Sequence, residues 1–228
     1  MSETVLVVAA HPDDEVLGCG GTIARHGAMG DKVEILILAE GATSRDADRR
    51  VADRRVEIER LRGAARKAAK ALGARPPVFG GLPDNRMDSL DFLDVVKIVE
   101  TTVARVRPTI LYLHHAADLN VDHRIAHQAG LTACRPLPGS TVRAIRAFET
   151  PSSTEWAGPA ALFRPSQFIG IARYWKAKLA ALAAYGAEMR DYPHARSIEA
   201  VEALARWRGA SAGLPMAEDF ESIREIES

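Results

Sequence analysis

His11, Asp13, Asp14 and Glu15 place four titratable groups within five residues, directly behind an unbroken apolar run, Thr4 to Ala10 (TVLVVAA). Carboxylates crowded at the end of a buried strand repel one another at neutral pH unless a cation or a raised pKa relieves them, and a metal ion is the economical reading. A second polar cluster, His114, His115, Asp118, Asn120, Asp122 and His123, follows another apolar segment, Thr109 to Leu113. A His and an Asp from the first cluster with a His from the second make three N and O ligands and leave a position for water. That is the pattern of a catalytic rather than a structural zinc, and a water held there is acidified toward a pKa of about 7.

Two clusters so far apart in the chain share one ion only if the strands before them end at the same sheet edge. Thr4 to Ala10 and Val33 to Ala39 read as strands buried on both faces of a parallel sheet. Between them the small-residue stretch Gly18 to Gly21 leads into a helix over TIARHGAMG that stops at Gly30, which completes a βαβ unit. Apolar positions from Val51 to Leu72 predict an amphipathic helix within Arg45 to Arg75, ending at Gly73. A short strand at Val78 and Phe79, a helix from Phe92 to Val106, a strand from Thr109 to Leu113 and a helix from about Asp122 to Cys134 continue the alternation. Val142 to Glu149 is a further strand candidate, followed by the turn-rich Pro151 to Pro165. Beyond residue 170 the pattern turns helical, around Trp175 to Met189 and Ser197 to Arg208, with a closing strand near Phe220 to Ile226. The expected fold is a single α/β, Rossmann-like domain over 1–228. Its mostly parallel sheet, flanked by helices, occupies about 1–150, and a C-terminal helical elaboration occupies about 151–228. In such sheets ligands collect at the carboxyl ends of the strands.

AHPDDE after the first strand, LPDNR in the middle and DLNVDHR after the fourth strand, in that order, resemble the PIG-L/LmbE-like family of zinc-dependent N-acetylglucosaminyl deacetylases. The resemblance extends through FETPSSTEW to the C-terminal helices. It implies that His11, Asp14 and His123 bind one zinc ion and that Asp13 is the general base. Asp13 would take a proton from the zinc-bound water as it attacks an acetamide carbonyl, then return it to the departing amine. Spacing alone does not distinguish Asp13 from Asp14. By the same resemblance Asp84 contacts sugar hydroxyls and Asp122 orients a ligand from behind. Arg62 is a further candidate substrate contact. Many relatives carry a second His where this chain has Asn120, and Asn donates a neutral hydrogen bond but carries no charge. His114 or His115 is then a candidate to line the site in its place.

Composition bounds the rest. Thirty basic against thirty acidic residues give a net charge of zero, so no global field draws the chain to nucleic acid or to a membrane. Arg45 to Arg75 holds eleven Arg or Lys against five Asp or Glu, an excess of six that reads as a solvated helix face rather than a phosphate site. With no apolar run of about 18 to 20 residues and no leader-like start, a cytoplasmic protein without membrane insertion is expected. Cys19 and Cys134 read as reduced and buried, His26 and His194 as ordinary surface residues, and His127 as a surface or core residue. Gly18 to Gly21 lacks both phosphate-loop patterns, and Ser152 to Thr154 lack a nucleophile elbow; the SSTEW segment reads as a loop beside the sugar pocket, with Trp156 offering a stacking face. The expected partner is a small N-acetylated sugar or glycoconjugate, with self-association implied by the resemblance. Divalent ions other than zinc suit the same ligands. A zinc amidase on a non-sugar amide and a silent sugar- or nucleotide-binding module are the alternatives.

Overall fold

A computed structural model describes residues 2–159 and 162–227. In chain order its regular elements are β1 (Thr4–Ala9), α1 (Asp14–Ala28), β2 (Lys32–Ala39), α2 (Arg55–Ala71), β3 (Val78–Leu82), α3 (Phe92–Val106) and β4 (Ile110–His114). There follow α4 (Val121–Ala133), β5 (Ala144–Phe148), β6 (Gln167–Gly170), α5 (Trp175–Ala184), α6 (Ile198–Ser211) and β7 (Ala217–Glu225). One sheet holds all seven strands in the order β3-β2-β1-β4-β5-β7-β6. The first five pair in parallel, whereas β7 runs antiparallel to both β5 and β6.

From Val5 to Ala9, β1 is apolar because helices cover both faces of the sheet. Val5, Val7 and Ala9 pack with Ile35, Ile37 and residues of α1, α2 and α5, such as Ile23, Ala65 and Leu182. Leu6, Val8 and Ala10 face the other way, against Leu36, Leu111, Leu113 and the Val95, Val99, Ala126 and Ala129 stripes of α3 and α4. Burying each such Val or Leu side chain contributes about 1.5–3 kcal/mol, so the strand between the two layers has no tolerance for a polar residue until its carboxyl end.

Five elements differ from the sequence expectation. α1 starts at Asp14, and the glycines expected before the helix lie inside it. They are small because the helix packs closely: a Cβ on Gly18 would stand 2.2 Å from the Phe148 ring. α2 starts at Arg55, not near Arg45, since the segment before it has only Val51 to bury and leaves it 41% exposed. β6 was not anticipated, being a four-residue edge strand (QFIG) too short to show a period. The C-terminal part is therefore not simply helical, because β6 and β7 extend the sheet. α5 ends at Ala184 rather than Met189, and β7 begins at Ala217, ahead of Phe220.

His26 is a further correction: it is buried at 5% exposure between Asp31 and the Tyr112 hydroxyl, not on the surface. Cys19 and Cys134 are free and buried. No helix among the described residues is long and apolar enough to cross a membrane. Of the expected turn-rich stretch, residues 160 and 161 lie outside the described residues.

Candidate functional site

The sheet order reverses between β1 and β4. The helix after β1 packs on one face and the helix after β4 on the other, which opens a crevice at the carboxyl ends of these two strands. His11 leaves β1 on one side of that crevice, and His123, in the first turn of α4, enters from the other. The Asn120 side chain caps α4 by accepting the Asp122 N–H at 2.8 Å, so the chain turns into a helix where His123 must point inward.

Ligand atoms of His11, Asp14 and His123 all lie within 4.8 Å of one another. Asp14 Oδ2 stands 3.3 Å from His11 Nδ1 and 3.2 Å from His123 Nε2. The far nitrogen of each ring faces a carboxylate: His11 Nε2 is hydrogen-bonded to Asp122 Oδ2 at 3.0 Å, and His123 Nδ1 stands 3.0 Å from Asp118 Oδ1 as an ion pair without hydrogen-bond alignment. Asp122 is itself fixed by the N–H groups of Asn85 (2.7 Å) and Met87 (3.0 Å). Asp118 is held by the hydroxyls of Ser153 and Thr154 and by the Asn120 N–H. A carboxylate on the outer nitrogen of each imidazole sets ring orientation and raises basicity at the inner one, as it does behind metal-bound histidines.

The charges agree with a cation. Asp14, Asp84, Asp118 and Asp122 surround two imidazoles. Burial works against a charged His11 ring, yet the bonds to Asp122 and Asp14 hold its pKa well above the usual value. Burial likewise opposes charge on His123, and Asp14 and Asp118 overcome it. Asp14 is held well below the carboxylate range by His123, His114 and His11 despite its burial. Asp14 Oδ1 is buried without a hydrogen-bond partner, an orphan acceptor that a metal ion would satisfy. Two imidazoles, a carboxylate and an unsatisfied buried oxygen fit a divalent ion such as zinc.

Asp13 lies between two of these donors in sequence but not in role. Its backbone has φ 110° and ψ −27°, a left-handed conformation for a non-glycine residue, and its side chain does not cap the helix it precedes. Arg196 Nη1 donates to Asp13 Oδ2 at 2.9 Å. Burial pushes the Asp13 carboxyl up to about 7, against the pull of Arg196 and with the help of Asp14 and Glu188. Asp13, His11, Asp84, Asn120, Glu188 and Arg196 contribute to the walls of a polar cavity of about 120 Å³. Gly41 also borders it; its φ of 76° and the Pro12 ring 2.6 Å from a notional Cβ leave no room for a side chain.

The other sequence candidates separate clearly. Asp84 lines the cavity, with Oδ2 accepting the Ser44 N–H and Oδ1 3.4 Å from His11 Nε2. Asn120 also lines it, and its amide donates to Asn85 Oδ1. His114 is stacked on His123 at 3.9 Å, but behind it: its Nε2 accepts the Ala10 N–H and its Nδ1 meets Thr150. His115 bonds Glu221 and packs edge-on to Phe163. Neither lines the cavity, so the expectation that one of them replaces the missing His is not met. Arg62 is likewise elsewhere, bonded to Glu59 and lying over the Phe79 ring. Most of the arginine excess on its segment is paired with acids, as for Arg54 with Asp46 and Arg60 with Glu188, which suits a solvated face. His127 is buried against the His114 carbonyl, and the half-buried His194 packs edge-on to Trp156, whose ring is 54% exposed.

Sequence reasoning missed Arg196 and Glu188, which reach the cavity from the loop between α5 and α6, and Asp118 as the partner of His123. Asp118 was legible as the first acid of the D-x-N-x-D-H run. Nothing local to Arg196 distinguishes it from the other arginines.

Residues 6–134 match the PIG-L family, described as GlcNAc-PI de-N-acetylase. An uncharacterized deacetylase of Escherichia coli, YaiS, is 30% identical over 184 residues, covering 78% of this chain and 88% of that protein. A probable N-acetyl-alpha-D-glucosaminyl L-malate deacetylase 2 of Bacillus cereus is 26% identical over 212 residues, with 91% and 94% covered. Among solved structures, GalB, the 4-carboxy-2-hydroxymuconate hydratase of Pseudomonas putida KT2440, superposes with a TM-score of 0.78 at 25% identity, covering 99% of this chain and 98% of that one.

Proposed function

The chain belongs to the PIG-L family, and from that premise we propose that it is a metal-dependent hydrolase removing the N-acetyl group from an N-acetylated amino sugar or its glycoconjugate. The carrying observation is that His11, Asp14 and His123 bring their ligand atoms within 4.8 Å of one another, while His11 and Asp13 line one polar cavity. His11, Asp14 and His123 hold the ion, one per chain, with zinc as the proposed metal. When bound, it supplies Lewis acidity, which polarises an acetamide carbonyl and acidifies water. Asp13 accepts the proton of the water that attacks the carbonyl carbon, and it delivers that proton to the nitrogen as the C–N bond breaks. The products are acetate and a free amine. Asp84, held by the Ser44 N–H, offers its carboxylate to sugar hydroxyls. Asn120 bonds Asn85 and caps α4, so it contributes at most a neutral donor.

A second reading has one observation in its favour, the likeness to the GalB hydratase. A base beside a metal site also serves addition of water to a carbon–carbon double bond. The deciding experiment incubates zinc-loaded protein and an Asp13→Asn variant of equal metal content with N-acetylated sugars, free and nucleotide-linked, a non-sugar acetamide and an unsaturated hydroxy triacid. Acetate release from a sugar by the wild type, lowered about 10²- to 10⁴-fold in the variant, is expected. No release from any sugar by fully metallated protein would sink the proposal, and turnover of the triacid would replace it with hydration.

A further inference from the structure

Asp13 sits in a backbone conformation that no side chain favours, and two different contacts hold it there. Its N–H donates to Glu15 Oε2 at 3.1 Å, and Glu15 Oε1 accepts the Tyr185 hydroxyl at 2.7 Å. Glu15 is 0% and Tyr185 1% exposed, so this is a carboxylate withdrawn from water and bonded on both oxygens. A buried carboxylate is costly, and an apolar residue would fill the same space more favourably. Its use here is intelligible if the Asp13 N–H needs an acceptor. The second contact is on the side chain: Arg196 gives Nη1 to Asp13 Oδ2 at 2.9 Å and Nε to Ser152 Oγ at 2.7 Å, which fixes the guanidinium at two points.

Tyr185 and Arg196 bracket the loop between α5 and α6, downstream of the residues that match the family. That loop is tied back to the N-terminal part of the chain, because Glu188 bonds Arg45 at 2.8 Å and Arg60 at 3.1 Å.

We propose that Arg196, and Tyr185 acting through Glu15, are positioning residues for Asp13, so that the loop 185–197 completes the active site. The inference rests on the reading of Asp13 as the base. Arg196 commits Oδ2 and leaves Oδ1 to take the proton, while the Tyr185–Glu15 pair keeps residue 13 turned toward the cavity. A displacement of about 1 Å at such a group lowers turnover about 10²-fold.

The test uses full-length, zinc-loaded Tyr185→Phe, Arg196→Gln and Arg196→Lys beside wild type and Asp13→Asn, reading metal content, kcat, KM and crystal structures. Expected are falls in kcat of about 10- to 100-fold in Tyr185→Phe and Arg196→Gln, with KM within about twofold and zinc content unchanged, and partial recovery in Arg196→Lys. The crystal structures should show the Asp13 carboxylate rotated in Arg196→Gln and its φ altered in Tyr185→Phe. An unmoved Asp13 in both structures overturns the proposal. So does wild-type kcat in both variants while Asp13→Asn is inactive. If Asp13→Asn is as active as wild type, or wild type turns over none of the sugars, the reading of the base has failed instead, and the crystal structures still decide whether these residues position Asp13.

Discussion

His11 and His123 each turn one ring nitrogen toward Asp14 because a carboxylate already occupies the other. Of the two anchors, Asp118 is the more thoroughly held, accepting from Ser153, Thr154 and the Asn120 N–H while it contacts His123. These contacts keep its pKa well below the usual range in spite of burial, so it stays an acceptor throughout the neutral range. Replacing it leaves the His123 ring free to rotate without touching a proposed ligand. Asp118→Ala is expected to weaken zinc binding about 10- to 100-fold, measured by competition with a chromophoric chelator. Unchanged affinity would mean that the pair only supports the loop.

α1 is broken at Cys19 (φ −142°, ψ 23°), and its orphaned backbone groups find partners in a buried ion pair. Lys178 donates to the Leu17 carbonyl at 2.9 Å, and Glu218 accepts the N–H groups of Gly21 at 2.8 Å and Thr22 at 2.6 Å. Lys178 and Glu218 meet at 2.6 Å, so α5 and β7 together hold the helix that begins at Asp14. Removing one partner strands the other in the interior. Lys178→Ala should destabilise the fold by about 3–5 kcal/mol in urea titrations, whereas an exposed pair would cost under about 1 kcal/mol. The same helix allows no extra volume where it crosses β5. Gly18→Ala drives a methyl into the fully buried Phe148 ring and should cost about 1–3 kcal/mol by the same measurement.

At the scale of the whole molecule, His26 couples three parts of the fold: it lies on α1, bonds Asp31 before β2, and meets the Tyr112 hydroxyl on β4. Tyr112 also accepts from Arg146 on β5, so its hydroxyl proton is directed to His26 Nε2, which suits a neutral ring donating from Nδ1 to Asp31. Burial, outweighing Asp31, lowers the His26 pKa from its ordinary 6.5. Between the unfolded value and the lower folded one, the unfolded chain binds the extra proton. The contribution is therefore complete above about pH 6.5 and is lost as pH falls through the window beneath it. Thermal midpoints measured from pH 7.5 to 5 should fall more steeply for wild type than for His26→Gln. Parallel curves would show that the ring does not titrate in that window.

Local patterning along the chain dictates the strand–helix alternation and the placement of two polar clusters behind apolar strands. Both follow from local causes: a strand covered on both faces is predominantly apolar along its length, so polar clusters such as HPDDE and HHAADLNVDH directly behind apolar runs mark strand ends. That a His and an Asp of the first cluster could share an ion with a His of the second was legible for the same reason, whereas the choice of Asp14 over Asp13, and the part of Asp84, came from the family resemblance of AHPDDE, LPDNR and DLNVDHR. That His114 and His115 stay out of the cavity lining emerges from packing in three dimensions, since consecutive residues at a strand end differ in direction and neighbours, not in chemistry. The same packing decides that Arg196, more than 180 residues from Asp13 in sequence, bonds it, while Arg62 does not approach it. An arginine carries the same charge at every position, and which carboxylate it meets depends on chain paths that no short pattern records.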